Sequence, residues 1–570
     1  MNGRFGIPMA RIKKITFVSL ILALVLALVA CSGGNGGNNG GGGNGNAGGG
    51  TGGTSSQGDD GGGSGSETID PYRMPNPVEF TTFKYLGANA KLPEGDTVED
   101  NQYTRYLKEK ANITVKILWY ASGDDYEQKS KLAIGSGDIP DVFVVDEQTF
   151  HTLAKANQLE DLTEVYEKYA APLTRELYAS TDNKALESAT IQGRLMAIPN
   201  IAVQADSVSM LFIRQDWLDK LNLDPPKTVA DIERIAKAFV DNKMGGDNTI
   251  GLSASSSALS VPMKSARHDL KGFFAAYNAF PGNWVKDENG EVVYGSILPQ
   301  TKEALGKLRE MYAAGLLDKE FAIRKEPDQE VIAGRVGMFF GPWWSGGVLR
   351  DTYANHPDAL FKPYLIYDDK GQVNNLQLPV SQRFVVVKKG FKIPEAAMVY
   401  VNTFIRAERK AEPDAAKLDT SITTEFWPIG NPTFDYADAV ERKSEILADA
   451  LAGKINPDDL IPEMRILYDF AKADEAAPKQ DLAGWARFYG YTEPAELLKH
   501  PMNRIQNEFT ITTPTMERKW ANLKKLEDET FVAIVMGNKD LDAFDQFVKD
   551  WKAQGGDEIT AEIREELKQR

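Results

Sequence analysis

Nine tryptophans give this 570-residue chain its most conspicuous chemistry. An indole offers a broad apolar face and one N–H donor, so it suits a ligand with flat apolar faces and a polar rim. Two aromatic pairs stand where such a ligand could be met. Trp343 and Trp344 follow a strand expected over 336–340 and a Gly341-Pro342 turn. Trp119 and Tyr120 end a strand expected over 113–120 and lead into Ser122-Gly123-Asp124-Asp125. Strand alternation turns one of that pair outward and the other into the core. Asp146, Glu147 and Gln148 follow a short apolar run ending in Val145. Asp146 suits the N-cap of a helix starting near Thr149, which leaves Glu147 or Gln148 to face a ligand. Arg383 precedes a strand over 384–387 and could meet a hydroxyl or a carboxylate, or simply close a surface ion pair.

The other tryptophans divide between binding and packing. Trp284 follows Phe280-Pro281-Gly282-Asn283, and both roles are open to it. Trp427 and Trp485 lie in a C-terminal region rich in helical patterns. Trp485 stands three residues before Phe488, a spacing that a core stripe also has. Trp217, Trp520 and Trp551 read as packing.

Catalytic chemistry finds little support. Gly251-Leu252-Ser253-Ala254-Ser255 lacks the second glycine of a nucleophile elbow, and no phosphate loop is present. His151, His268, His356 and His500 are far apart in sequence. The single cysteine, Cys31, allows neither an intrachain disulfide nor a multi-thiolate metal site. A pair of carboxylates for glycoside hydrolysis would leave no signature among 81 acidic residues. The reading is a binding protein, not an enzyme, with no catalytic residue, metal or cofactor. The formal charge of -16 argues against nucleic acid as a partner and against broad adsorption to anionic lipid.

The elements expected around these residues alternate. Strands near 78–85, 113–120, 141–145 and 210–213 are separated by helices near 97–111, 126–134, 149–156 and 162–169, which is the order of an α/β lobe. Thr228 is a helix N-cap, Asn289-Gly290 turns a hairpin over 285–294, and Gly315 closes a helix over 302–314. From Pro394 onward the chain is mainly helical. Ligands in α/β folds sit where strand ends face a crevice, especially between domains.

The first residues read as an address. Arg4, Arg11, Lys13 and Lys14 precede an apolar run over 15–30, the layout of a signal peptide spanning 1–30. Leu28-Val29-Ala30-Cys31 resembles the lipobox of bacterial lipoproteins, which implies cleavage before Cys31 and its acylation. Several acyl chains together anchor stably where one does not. Residues 32–67 are almost all Gly, Asn and Ser, a tether that cannot bury a core.

Several segments resemble the extracellular solute-binding proteins of family 1, which serve carbohydrate ABC importers. Lys131-Leu132-Ala133-Ile134-Gly135-Ser136-Gly137-Asp138-Ile139-Pro140-Asp141-Val142 is similar to a turn of that family, and Arg214-Gln215-Asp216-Trp217-Leu218-Asp219-Lys220-Leu221 to another stretch. Gly334-Arg335-Val336-Gly337-Met338-Phe339-Phe340-Gly341-Pro342-Trp343-Trp344 looks like its strand and aromatic turn. The segment from Phe544 to Asp557 resembles the C-terminus of the large lipoproteins of Gram-positive bacteria, although Arg564-Glu565-Glu566-Leu567 replaces their final aromatic motif.

The resemblance implies an α/β, two-lobed, periplasmic-binding-protein-like fold of type II, with a hinge and a helical C-terminal extension. The expected solute-binding domain covers 75–570, with one lobe over 75–205 and 336–392 and the other over 206–335 and 393–570. It implies an oligosaccharide ligand held between the lobes by Trp119, Tyr120, Glu147, Gln148, Trp284, Trp343, Trp344, Arg383, Trp427 and Trp485. It further implies a monomer, lipid-anchored on the outer side of the cell membrane, that delivers its ligand to the permease subunits of an ABC importer. A carbohydrate-sensing component is the alternative, followed by a secreted carbohydrate-active enzyme. Some relatives bind calcium in an Asp/Asn-rich loop. Here Asp241-Asn242-Lys243-Met244-Gly245-Gly246-Asp247 puts Lys243 where an oxygen is needed, so no calcium is expected.

Overall fold

The computed structural model describes residues 69–568 apart from 89, 260–265, 420–421 and 431–432. The expected signal peptide, Cys31 and the tether lie outside the described residues. The strands that place the site are, in chain order, β1 (Val78–Tyr85), β2 (Ile113–Ala121), β3 (Val142–Asp146), β4 (Ile198–Pro199), β5 (Met210–Arg214), β6 (Ile250–Ser253), β7 (Val336–Gly341), β8 (Phe361–Tyr364) and β9 (Arg383–Val387).

These strands form two lobes. In the first, β1 pairs in parallel with β2, and a second sheet runs β3-β9-β4 with antiparallel neighbours. β9 reads Arg-Phe-Val-Val-Val and is buried after its first residue, as a strand covered on both faces must be. In the second lobe a four-stranded sheet runs β8-β5-β7-β6. All six residues of β7 are buried. Gly337 is required there, because a Cβ would stand 2.4 Å from the Phe239 ring. Phe239 belongs to the helix Val229–Asp241, which starts on a reciprocal cap between Thr228 and Asp231, as its sequence signals.

The sheets correct the expected lobe boundaries. β7 and β8 pair with β5, so this part of 336–392 belongs to the second lobe, not the first. Conversely, the helix Glu395–Glu408 and Ala415, Ile422, Phe426, Trp427, Ile429 and Phe434 pack into the first lobe's core with Val385, Val387 and Phe80. The second lobe resumes at Val440.

The chain therefore crosses between lobes three times, near 202–206, 374–382 and 435–439. The crossings are tied together: Ala202 N–H donates to the Val380 carbonyl at 2.9 Å and Gln204 N–H to the Ala437 carbonyl at 2.9 Å. β4 ends and β9 begins beside the crossings, and β5 begins and β7 ends beside them, because Met210 is opposite Gly341. Both lobes thus bring strand ends beside the crossings.

One buried cation makes the first lobe sensitive to pH. Lys84, in β1, is 1% exposed and donates to the Trp427 carbonyl at 2.7 Å and to the Glu425 carbonyl. Burial pulls its pKa down to about 7, with Glu425 opposing the shift. An unfolded lysine titrates near 10.4. Between these values the unfolded chain binds more protons, so this group makes stability rise with pH across that window. The expected gain is on the order of 3 kcal/mol between pH 7 and 10. Denaturant titrations of wild type and Lys84→Met should show the rise only in wild type; equal slopes would exclude it.

Candidate functional site

On the first lobe the site is built around Trp119. β2 carries a bulge where the register shifts between Thr82 and Phe83, so that Thr82 opposes Ile117 and Phe83 opposes Trp119. Unbroken alternation would leave Trp119 on the face of Ile117. The extra residue, Leu118, instead sends Trp119 to the opposite face, where it stacks on Phe83 with centroids 4.6 Å apart. Tyr126 closes against the same indole at 5.8 Å and meets Tyr85 edge-on at 5.6 Å. The half-buried Trp119 therefore has a rigid aromatic backing, while Tyr120 points outward, 45% exposed. Burial raises the pKa of the Tyr126 hydroxyl, and nearby Arg383 opposes that shift. Arg383 is itself exposed and lies across the ladder from Asp146.

Asp146 caps the helix Glu147–Lys155 through the Thr149 N–H at 2.8 Å. Glu147 and Gln148 reach the segment 510–512. Thr510 Oγ1 donates to Glu147 Oε2 at 2.6 Å, and the Thr512 N–H donates to Gln148 Oε1 at 2.6 Å. Residues 509–511 pack into the second lobe's core, so these are contacts between lobes.

On the second lobe, Trp343 and Trp344 follow β7 as expected but have unlike surroundings. Trp343 is half-buried against Tyr491, 5.1 Å away, and donates from Nε1 to Asp206 Oδ1 at 2.8 Å. Gly490 makes room for it: a Cβ there would be 2.6 Å from the indole. Trp344 is 38% exposed, and the Arg267 guanidinium lies 5.3 Å from its ring centroid. Arg267 is fixed by Asp328, which accepts from its Nε at 3.0 Å. Asp328 also meets His268 Nε2 at 2.9 Å, and His268 Nδ1 meets Ser253 Oγ at 2.9 Å. Burial opposes ionisation of Asp328, yet His268 and Arg267 hold its carboxyl well below the usual range. Burial lowers the pKa of His268, which favours a neutral ring at pH 7. The Ser253–His268–Asp328 row has the residue types of a hydrolytic triad. Ser253 is completely buried, however, and the row's outward end is Arg267 over Trp344. Its physical effect is to hold a guanidinium against an indole.

Three expected ligand residues are core residues. Trp284 is 3% exposed among Tyr294, Trp520 and Trp551. Trp427 is fully buried among Tyr103, Tyr106 and Phe404, with Nε1 donating to Glu408 Oε1 at 2.7 Å. Trp485 packs on Tyr353 and Tyr489. In each case tertiary burial claims the large apolar side chain, and only the Trp485–Phe488 spacing hinted at it. The calcium-like loop carries a Lys243–Asp247 ion pair at 2.8 Å. Asp206, Arg267 and Tyr126 escaped the sequence reading. None has a local pattern, since each acquires its role from a partner distant in the chain or across a turn.

A profile of bacterial extracellular solute-binding proteins matches residues 89–411, more than half of the chain. The chain belongs to this family. A fructooligosaccharide ABC transporter substrate-binding protein, FusA of Streptococcus pneumoniae serotype 4, is 30% identical over 254 residues, which are 42% of this chain and 46% of that protein. The chain thus matches about half the length of that relative. The polygalacturonan/rhamnogalacturonan-binding protein YtcQ of Bacillus subtilis is 22% identical over 485 residues, 81% of this chain and 87% of its own. The solved structure of S. pneumoniae FusA with kestose aligns with a TM-score of 0.57 at 18% identity, covering 86% of this chain and 99% of that one. The alginate-binding protein AlgQ2 aligns with a TM-score of 0.55 at 16% identity, covering 87% and 99%. These solute-binding proteins share the two-lobed type II fold. Among the described residues, no helix of the family member is long and apolar enough to cross a membrane.

Proposed function

We propose that this solute-binding protein captures an oligosaccharide between its lobes and delivers it to an ABC importer from a lipid-anchored position outside the cytoplasm. The observation that carries this reading is the pair of part-exposed indoles, Trp119 near the end of β2 in the first lobe and Trp344 just after β7 in the second. Each has a polar neighbour suited to a hydroxyl rim: Lys129 lies 6.0 Å from the Trp119 ring and Arg267 5.3 Å from the Trp344 ring. A ligand touching both stabilises the closed arrangement of lobes over an open one, and an importer can recognise that difference. Anchoring rests on the lipobox-like Cys31 and the glycine-rich tract that follows it.

The names of FusA and YtcQ cite chemically different glycans, one neutral and one acidic. A thermal-shift screen with both classes tests the proposal, because a ligand selective for the native state raises its melting temperature. A saturable rise with at least one oligosaccharide supports it, and a flat response to every member of both classes refutes it.

Closure has its own test. The Glu147–Thr510 and Gln148–Thr512 hydrogen bonds exist only while the lobes touch. The double variant Glu147→Ala/Gln148→Ala should release ligand roughly tenfold faster, given about 0.5–1.5 kcal/mol per hydrogen bond, with little change in apo melting. Stopped-flow dissociation measures this. An unchanged release rate would remove these contacts from the closure mechanism.

A further inference from the structure

We infer that Asp206 is a positioning residue that ties Trp343, the first residue of the aromatic turn, to the hinge, so that lobe rotation carries this turn with it. Asp206 sits at the first crossing, in the short turn Gln204–Ser207 immediately ahead of β5. Its carboxylate accepts from Trp343 Nε1 at 2.8 Å. Among the described residues no cation acts on it, and burial pushes its pKa up. A half-buried carboxylate lacking a countercharge is costly unless donors compensate it, and here the donor is the Trp343 indole.

A second tether supports the same assignment. Trp343 rests on Tyr491, and Tyr491 lies beneath Lys443, whose ammonium is 5.9 Å from its ring. Lys443 is held by Asp435 at 2.8 Å and Glu463 at 2.6 Å, and Arg409 of the first lobe reaches both of those acids. This alternating set of charges straddles the third crossing. Trp343 is therefore fastened to the first crossing through Asp206 and to the third through Tyr491. It cannot keep its orientation if the crossings twist independently. The turn's geometry is set by the hinge.

The inference rests on the oligosaccharide reading only for its effect on affinity; the indole geometry can be tested without ligand. In the full-length apo protein with indole-labelled tryptophan, Asp206→Ala should move the Trp343 N–H resonance upfield, while Asp206→Asn, which keeps an acceptor oxygen, should hold it near its original position. Oligosaccharide affinity should fall roughly tenfold or more in Asp206→Ala and recover largely in Asp206→Asn. An unmoved Trp343 resonance in Asp206→Ala overturns the positioning role. So does a shifted resonance with unchanged affinity. If wild type binds no oligosaccharide at all, the proposed function fails, and the apo resonance still decides whether Asp206 holds the indole.

Discussion

Replacing Trp344 by alanine should lower oligosaccharide affinity by roughly 30- to 100-fold and leave the denaturation midpoint of the apo protein almost unchanged. The side chain is 38% exposed, and the Arg267 guanidinium beside it is independently fixed by Asp328. Removing the indole therefore opens no cavity and orphans no buried group. Trp343 behaves differently. It is half-buried on Tyr491, fills the space left by Gly490 and satisfies Asp206. Trp343→Ala should lose both affinity and about 2–4 kcal/mol of stability, less than a fully buried tryptophan would. Titration calorimetry with parallel denaturant melts separates the two. If Trp344→Ala bound sugar like wild type, the aromatic turn would have no part in recognition. If it unfolded the protein, the turn would be core.

The largest stability effect is expected at Trp427. It fills the centre of the first lobe's core, edge-on to Tyr106, Tyr400 and Phe404, and its N–H satisfies Glu408. Trp427→Ala should cost about 3–5 kcal/mol from the cavity, with a further penalty for the stranded Glu408. Burial already pushes the pKa of that carboxyl up. Trp427→Phe should recover part of the packing but not the hydrogen bond. Equilibrium denaturation measures both. A nearly neutral Trp427→Ala with weakened sugar binding would instead make this residue a ligand contact.

Local patterns legible in the sequence were those fixed by neighbours in the chain. The valine-rich runs of β3 and β9, the Thr228 cap and the Asn289-Gly290 turn all stand where their residue types place them. The family resemblance and the two-lobed class were legible as well. The path of the chain between lobes was not. β7 pairs with β5 and not with β9, a choice made by long-range strand pairing that no local pattern encodes. Tryptophan roles failed for the same reason. A strand end followed by an aromatic residue looks alike whether the ring meets solvent or core. At Trp119 a single bulge decides which face it takes. Asp206 was invisible because its partner Trp343 lies 137 residues away.

On the proposed function, sugar is held, unaltered, against the exposed Trp344 indole of the second lobe. Titrating the protein with a defined series of neutral and acidic oligosaccharides, reading tryptophan emission and then recovering the sugar by chromatography, tests it in one experiment. The expected result is a saturable one-to-one change that is lost in Trp344→Ala, with the oligosaccharide recovered at its original length. Shortened sugar in the recovered fraction, or an emission change that persists in Trp344→Ala, would contradict it.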